Sequence, residues 1–145
     1  MTLKEMARPM AAQPVVDESL VGALRDVLVS NALPGELDGF TADDRAEAAA
    51  FVAQVAARRK PNELALQMKS IGGEAGNRRM RLAIINDDMP FLVDSVASCI
   101  ASRGLGIHRL LHPVVTVSRD EKGNLLRLGE GSPESIIYIE LDRAD

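Results

Sequence analysis

The stretch MRLAIINDDMPFLVDSV, residues 80–96, decides the predicted fold, because a largely apolar run meets an amphipathic one within it. Residues 80–85 are mostly aliphatic and have the length of a buried β-strand. From residue 91 onwards apolar side chains recur at steps of three and four, which predicts a helix over 91–103 that ends at Gly104. Residues 86–90 therefore form a turn that joins a strand directly to a helix.

The residues after this helix predict further strands. Residues 107–118 are rich in Val, Leu and Ile and predict one long strand, and a turn over 120–124 leads into a short strand over 125–128. Residues 135–142 predict another strand, with alternate side chains on opposite faces. The order β-α-β-β begins a ferredoxin-like β-α-β-β-α-β domain with an antiparallel sheet. We therefore expect residues 62–145 to form an α+β domain that is truncated at its C-terminus.

A helical hairpin is predicted upstream, over residues 17–61, and residues 1–16 are expected to form a flexible arm. The second helix runs from Thr41 to about Arg59, and Thr41 and Asp44 have the spacing of a capping box. Small residues on this helix would let the first helix approach closely. They are Ala46, Ala49, Ala50, Ala53 and Ala57.

Two further patterns follow the second helix. Arg58, Arg59 and Lys60 would place cations at the carbonyl end of its dipole, and Pro61 would stop it. Over residues 64–69 the large apolar side chains of Leu64, Leu66 and Met68 alternate with small or polar ones. This alternation predicts a strand.

Composition limits the class of protein. The 145 residues include 17 basic and 21 acidic ones, and 46% hydrophobic and 26% charged residues are typical of a soluble globular domain. Aromatic residues make up 3% and the net charge is −4, which argues against nucleic-acid binding. A single cysteine, Cys99, excludes an internal disulfide, so we expect a reducing compartment, the cytoplasm. No apolar run approaches the roughly 20 residues of a membrane span, so no membrane is expected as a partner.

The turn over residues 86–90 is the candidate binding site, because backbone N–H groups at a helix start bind anions such as an amino-acid carboxylate. The alternative is that Asp88 caps the helix and Pro90 sets its first turn without any ligand, and the residues alone favour this alternative. An acid–base pair of Asp87 and Asp88 is less favoured, since adjacent side chains in a turn point in different directions.

Three other features do not predict chemistry. His108 and His112 lie on a predicted strand, where a four-residue step spans about 13 Å, so no metal site is predicted. Cys99 lies on the predicted helix and is expected to be buried there. Gly104-Leu105-Gly106 follows a helix and precedes a strand, which is the reverse of a dinucleotide-binding fingerprint.

Residues 86–96 resemble a signature near the N-terminus of the large bacterial NAD-specific glutamate dehydrogenases. Further segments of residues 64–143 resemble the same family: Gly104-Leu105-Gly106-Ile107-His108, His112-Pro113-Val114, Arg119-Asp120, Glu134-Ser135 and Glu140-Leu141-Asp142-Arg143. The N-terminal portion of that family resembles ACT domains, ferredoxin-like modules that often bind amino acids and regulate metabolic enzymes. The resemblance implies a parent enzyme that converts L-glutamate, NAD and water to 2-oxoglutarate, ammonia and NADH, with this segment itself non-catalytic.

The same resemblance implies a ligand and partners. An amino-acid effector would bind at Asn86, Asp87, Asp88, Met89, Asp94 and Ser95. ACT domains commonly place Gly in the turn after the first strand, whereas here Phe91 follows Pro90. No metal or cofactor is expected in this segment, and NAD belongs to the parent enzyme. The expected partners are the remainder of the parent chain and further copies in a homo-oligomer.

One alternative stays open. The chain could be a free-standing ACT-like module that binds an amino acid. In the interaction version of this alternative, exposed sheet edges would pair with another subunit or with the rest of the parent chain.

Overall fold

The computed structural model describes residues 18–30, 32–33, 35–71, 79–89 and 91–142. The predicted arm over residues 1–16 lies outside the described residues, as do Pro90 and most of the glycine-rich turn after Ile71. The elements in chain order are α1 Glu18–Ser30, α2 Ala42–Ala56, β1 Ala65–Ile71, β2 Arg79–Asp87, α3 Leu92–Ser102, β3 Ile107–Leu111, β4 Val114–Arg119, β5 Leu125–Leu128 and β6 Ser132–Asp142. Within these ranges no helix is long and apolar enough to cross a membrane.

The sheet is antiparallel throughout, and its strands lie in the order β1-β2-β6-β4-β5. The predicted α+β class and the β-α-β-β order from β2 onwards are confirmed. The predicted single strand over residues 107–118 is wrong, since it is divided into β3 and β4. The division falls at Pro113, which has no N–H to donate to a ladder. Both strands still pair with β6, and the Pro113 carbonyl accepts a bond from the Ile136 N–H at 3.0 Å.

Helices cover both faces of the sheet, because the central strand β6 alternates two sets of apolar side chains. Ile136 and Tyr138 pack in the core formed with α1 and α2. Ile137 and Ile139 pack in a second core with Ile100 of α3. All of these β6 side chains are at most 1% exposed. Burial of each contributes about 1.5–3 kcal/mol, so β6 is the structural centre of the fold.

The helical hairpin forms as predicted, but its second helix differs in detail. The capping box is confirmed: the Asp44 N–H donates to Thr41 Oγ1 at 3.1 Å, and the Thr41 N–H donates to Asp44 Oδ2 at 3.3 Å. The predicted alanine stripe is partly wrong, because Ala46 and Ala50 are exposed. The buried alanines in the core with α1 are Ala48, Ala49, Ala53 and Ala56.

The end of α2 does not carry the predicted cations. The helix ends at Ala56, and Arg58 forms an isolated β-bridge with Asn124. The Arg59 N–H donates to the Gly123 carbonyl at 3.0 Å. These backbone bonds draw the chain away from the helix axis, so Arg59 turns into the protein rather than toward the helix dipole.

Strand β1 and helix α3 complete the two-sided arrangement. β1 is confirmed as a strand, in unbroken register with β2 from Ala65 to Ile71. α3 places Leu92, Val96 and Ile100 in the second core, as predicted. Gly104 has the expected left-handed φ of +75° after the helix. Cys99 is exposed rather than buried, since the position before Ile100 is rotated by about 100° from the buried face.

Candidate functional site

The corner between β2 and α3 contains the residues predicted to bind an effector. Asn86 closes the end of β2 locally: its Oδ1 accepts from the Asp87 N–H at 2.9 Å, and its Nδ2 lies 3.7 Å from Met89 Sδ. The Asp88 and Met89 side chains are exposed, as are those of Asp94 and Ser95 in the first turn of α3. Four of the six predicted residues are therefore exposed at this corner, and Asn86 is half-buried.

The start of α3 differs from the favoured expectation. The residue at the N-cap is Phe91, and no side chain caps the helix, so the prediction that Asp88 caps it is wrong. Phe91 has a left-handed φ of +67°, and its side chain is 77% exposed. A bulky residue in this conformation is strained by about 1–2 kcal/mol. The backbone thus adopts the conformation for which glycine is suited, although phenylalanine stands at the position.

Phe91→Gly is expected to stabilise the chain by about 0.5–1 kcal/mol, because relief of the left-handed strain outweighs the added entropy of the unfolded glycine. The measurement is the urea midpoint of unfolding followed by circular dichroism. Asn62→Gly is the matched control, since Asn62 has a similar φ of +64° but belongs to a residue type that tolerates it. A lower midpoint for Phe91→Gly than for the wild type would contradict the interpretation of strain.

Asp87, the remaining predicted residue, is 53% exposed and belongs to an ion-pair cluster. Its Oδ1 lies 2.6 Å from Arg59 Nη2, which also bonds Glu134 Oε2 at 2.9 Å. Arg119 binds both oxygens of Glu134, through Nε and Nη2, at 2.9 Å each. We refer to these four residues, Arg59, Asp87, Arg119 and Glu134, as the Glu134 cluster.

Burial and charge make Glu134 the centre of this cluster. Its side chain is 3% exposed, and that of Arg59 is 4% exposed. Burial alone would raise the pKa of Glu134, but the hydrogen bonds from Arg119 and Arg59 outweigh it and hold that pKa below the ordinary value. Burial lowers the pKa of Arg59, whereas Glu134 and Asp87 raise it, with a net upward shift. Both groups are therefore charged at neutral pH.

The Glu134 cluster joins parts of the chain that are distant in sequence. Arg59 Nη1 donates to the Glu63 carbonyl at 2.6 Å, just ahead of β1. Arg119 Nη1 donates to the Ala56 carbonyl at 2.7 Å and to the Gly123 carbonyl at 2.8 Å. Sequence reasoning missed this cluster. The available signal was a carboxylate directly before the predicted strand over residues 135–142, where a buried charge requires a partner.

Two clefts lie beside the cluster. The smaller, of about 270 Å³, is lined by Arg59, Asp87, Arg119, Asp120 and Glu134, among others. The larger, of about 520 Å³, runs between the end of α2 and the start of β1. The linings of these two clefts include Asp87 but not the other five predicted residues.

A second buried polar group fixes the helical hairpin to the sheet. Glu140 accepts from Tyr138 Oη at 2.6 Å and from Arg109 Nε at 3.0 Å. Arg109 also donates to the carbonyls of Glu36 and Asp38, and its guanidinium carbon lies 4.3 Å from the Phe40 ring centre. Burial, and then Glu140, raise the pKa of Tyr138, so its hydroxyl stays protonated as a donor.

The two histidines have separate partners. His108 Nε2 lies 2.6 Å from Asp142 Oδ1, and His112 Nε2 lies 2.7 Å from Ser135 Oγ. The Gly106 N–H and then His108 lower the pKa of Asp142. In the part of the chain that the structure describes, no group of three or more His, Cys, Asp or Glu residues could hold a metal ion.

Comparison with known proteins gives one family and two relatives. A family model described as "Glutamate dehydrogenase, ACT1 domain" matches residues 24–145. The NAD-specific glutamate dehydrogenase of Halomonas elongata is 38% identical over 69 residues, and that of Pseudomonas aeruginosa is 40% identical over 67 residues. These matches cover 43% and 41% of this chain but 4% of each relative. No solved structure gives a significant match.

Proposed function

This chain belongs to the ACT1-domain family of glutamate dehydrogenases, and we propose that it is a non-catalytic regulatory segment of an NAD-specific glutamate dehydrogenase that binds an amino-acid effector at the β2–α3 corner. The parent enzyme would convert L-glutamate, NAD and water to 2-oxoglutarate, ammonia and NADH. NAD would bind elsewhere in that polypeptide, of which the matched stretch is a small part. A free-standing ACT-like module is the alternative, and the length of the relatives argues against it.

The left-handed, uncapped start of α3 is the observation that carries the effector site. The first N–H groups of a helix carry partial positive charge, and no side chain of the described residues caps them here. The carboxylate of a free amino acid fits such a position. A strained backbone conformation such as that of Phe91 persists only where the surrounding structure stabilises it, and such conformations are concentrated at ligand sites.

Two carboxylates beside the helix start would receive the ammonium group of the effector. Asp88 and Asp94 are exposed and form no ion pair within the described part of the chain. Ser95, one position further, would add a hydroxyl donor or acceptor. Asp87 is excluded from this role, since it is already paired with Arg59 in the Glu134 cluster.

Calorimetric titration of the full-length dehydrogenase with a panel of amino acids other than the substrate glutamate tests the proposal. We expect one or more to bind, and Asp94→Ala to weaken that binding by about tenfold or more, because a hydrogen bond to a charged group contributes about 1.5–3 kcal/mol. Ser98→Ala, an exposed serine one turn further along α3, is the matched control and should bind as the wild type does. A panel without any binding, or binding unaffected by Asp94→Ala, would rule out the effector site at this corner.

A further inference from the structure

We propose that the outer edge of β1 is an interface between two copies of this chain, which pair antiparallel about Leu66. β1 ends the strand order, so among the described strands only β2 lies beside it. An open strand edge presents unpaired N–H and C=O groups that another strand can bind. This inference does not depend on the effector site.

The two ends of the sheet are protected to different degrees. β5, at one end, has four residues, and its pairing with β4 is interrupted by a register shift. β1, at the other end, has seven residues in unbroken register with β2, with no proline or bulge. Short or bulged edge strands resist pairing with a second chain, whereas a long and regular one favours it.

Large apolar side chains lie exposed along this edge. Leu64 is 55% exposed, Leu66 47% and Met68 46%. Leu66 and Met68 lie opposite Ile84 and Leu82, which places them on the face of the sheet that carries α3. Leu64 precedes the strand by one residue and shares their two-residue period. A row of exposed apolar side chains beside an open edge is typical of a protein–protein contact.

Pairing about Leu66 brings complementary side chains together. Leu66 meets the partner's Leu66, and Leu64 meets the partner's Met68, so all the exposed apolar side chains of the row are covered. Glu63, two residues before β1, would lie near the partner's Lys69, and the two charges are opposite in sign. A register about Met68 would instead place Leu66 opposite the partner's Ser70 and Lys69 opposite Gln67. Charge and hydrophobicity therefore both select the register about Leu66.

The structure also has space beside this edge. The cleft of about 520 Å³ lies between the last turn of α2 and the start of β1, and its lining includes Gln54 and Val55 of α2 and Ala65, Leu66 and Gln67 of β1. Arg58 and Lys60 on its α2 side are basic, whereas Glu63 at its base is acidic. An incoming strand of like sequence would thus meet both signs of charge at the rim of the interface.

Sedimentation velocity of the 145-residue chain over a concentration series tests this interface. We expect the wild type to approach twice the 15.6 kDa mass of one chain. Leu66→Glu and Leu66→Lys should each abolish the dimer, because like charges would lie directly opposite each other. An equimolar mixture of the two variants should restore it, and circular dichroism would confirm that each variant is folded.

Leu126→Glu is the matched control, since Leu126 is 52% exposed on the opposite edge strand β5, and this variant should dimerise as the wild type does. A wild-type chain that stays monomeric throughout the series would overturn the proposal. So would a Leu66→Glu variant that retains the wild-type dimer, or variants that remain monomeric when mixed.

Discussion

Glu134→Gln is expected to lower the free energy of unfolding by about 3–5 kcal/mol, because it removes the charge that Arg59 and Arg119 share in a buried position. The measurement is urea unfolding followed by circular dichroism. Glu130→Gln is the control, since Glu130 pairs with Arg127 at 3.5 Å on the surface and both side chains are well exposed. The free energy of unfolding of Glu130→Gln should fall by no more than about 1 kcal/mol.

The same variant should change how stability depends on pH. The pKa of Glu134 is lower in the folded chain than its ordinary value of 4.5, so its ionisation stabilises the folded state above that pH. This contribution is lost as the pH falls through the folded pKa, and Gln at position 134 never has it. The stability difference between wild type and Glu134→Gln should therefore shrink below about pH 4.5. A difference that is the same in acid as at neutral pH would contradict the assigned role of Glu134.

Gly123→Ala is expected to destabilise the chain by about 3 kcal/mol or more, for two reasons that add. Gly123 has a left-handed φ of +87°, where an alanine is strained by about 1–2 kcal/mol. A Cβ there would also overlap the backbone carbonyl of Arg59, and such overpacking adds about 1–3 kcal/mol. Thermal and urea unfolding measure the loss.

Gly104→Ala separates the two causes. Gly104 has a φ of +75°, but a Cβ there meets nothing within 4 Å, so this variant should lose only the cost of the left-handed conformation. Equal losses of stability in Gly123→Ala and Gly104→Ala would show that the close contact between the β4–β5 turn and the end of α2 is unimportant.

Local patterns were sufficient to predict much of this fold. The apolar run over residues 80–85, the helix after it and the capping box at Thr41 each depend on neighbours within four residues. The turn at Asp120 is also local, since its carboxylate accepts from the Lys122 and Asn124 N–H groups at 2.9 Å each. Such features are determined by short-range geometry, which is why they were confirmed.

Features that depend on distant contacts were not predicted. The predicted single strand over residues 107–118 is divided at Pro113, yet β3 and β4 both pair with β6, and a local apolar pattern does not show which distant strand they pair with. α2 ends early because two backbone hydrogen bonds join its end to the β4–β5 turn. The Leu125 N–H donates to the Ala57 carbonyl, and the Arg59 N–H donates to the Gly123 carbonyl. Asp87 and Arg59 are 28 residues apart and Glu134 is 75 residues from Arg59, so their cluster required the tertiary structure.

The strand-to-helix corner was predicted in position but not in detail. β2 ends at Asp87 and α3 begins at Leu92, as expected from the apolar patterns on either side. The cap by Asp88 is replaced by a left-handed Phe91, because a helix start is set by backbone geometry that residue preference only biases. The proposed effector site depends on this difference.

We propose that this segment regulates a dehydrogenase without taking part in its chemistry. The most direct measurement is the initial rate of NADH formation by the full-length enzyme carrying Asp94→Ala, at saturating glutamate and NAD, with and without the amino acid that binds. We predict a wild-type kcat in the absence of effector and a weakened response to the effector. A large fall in kcat without effector, in a variant whose thermal unfolding matches the wild type, would contradict the claim.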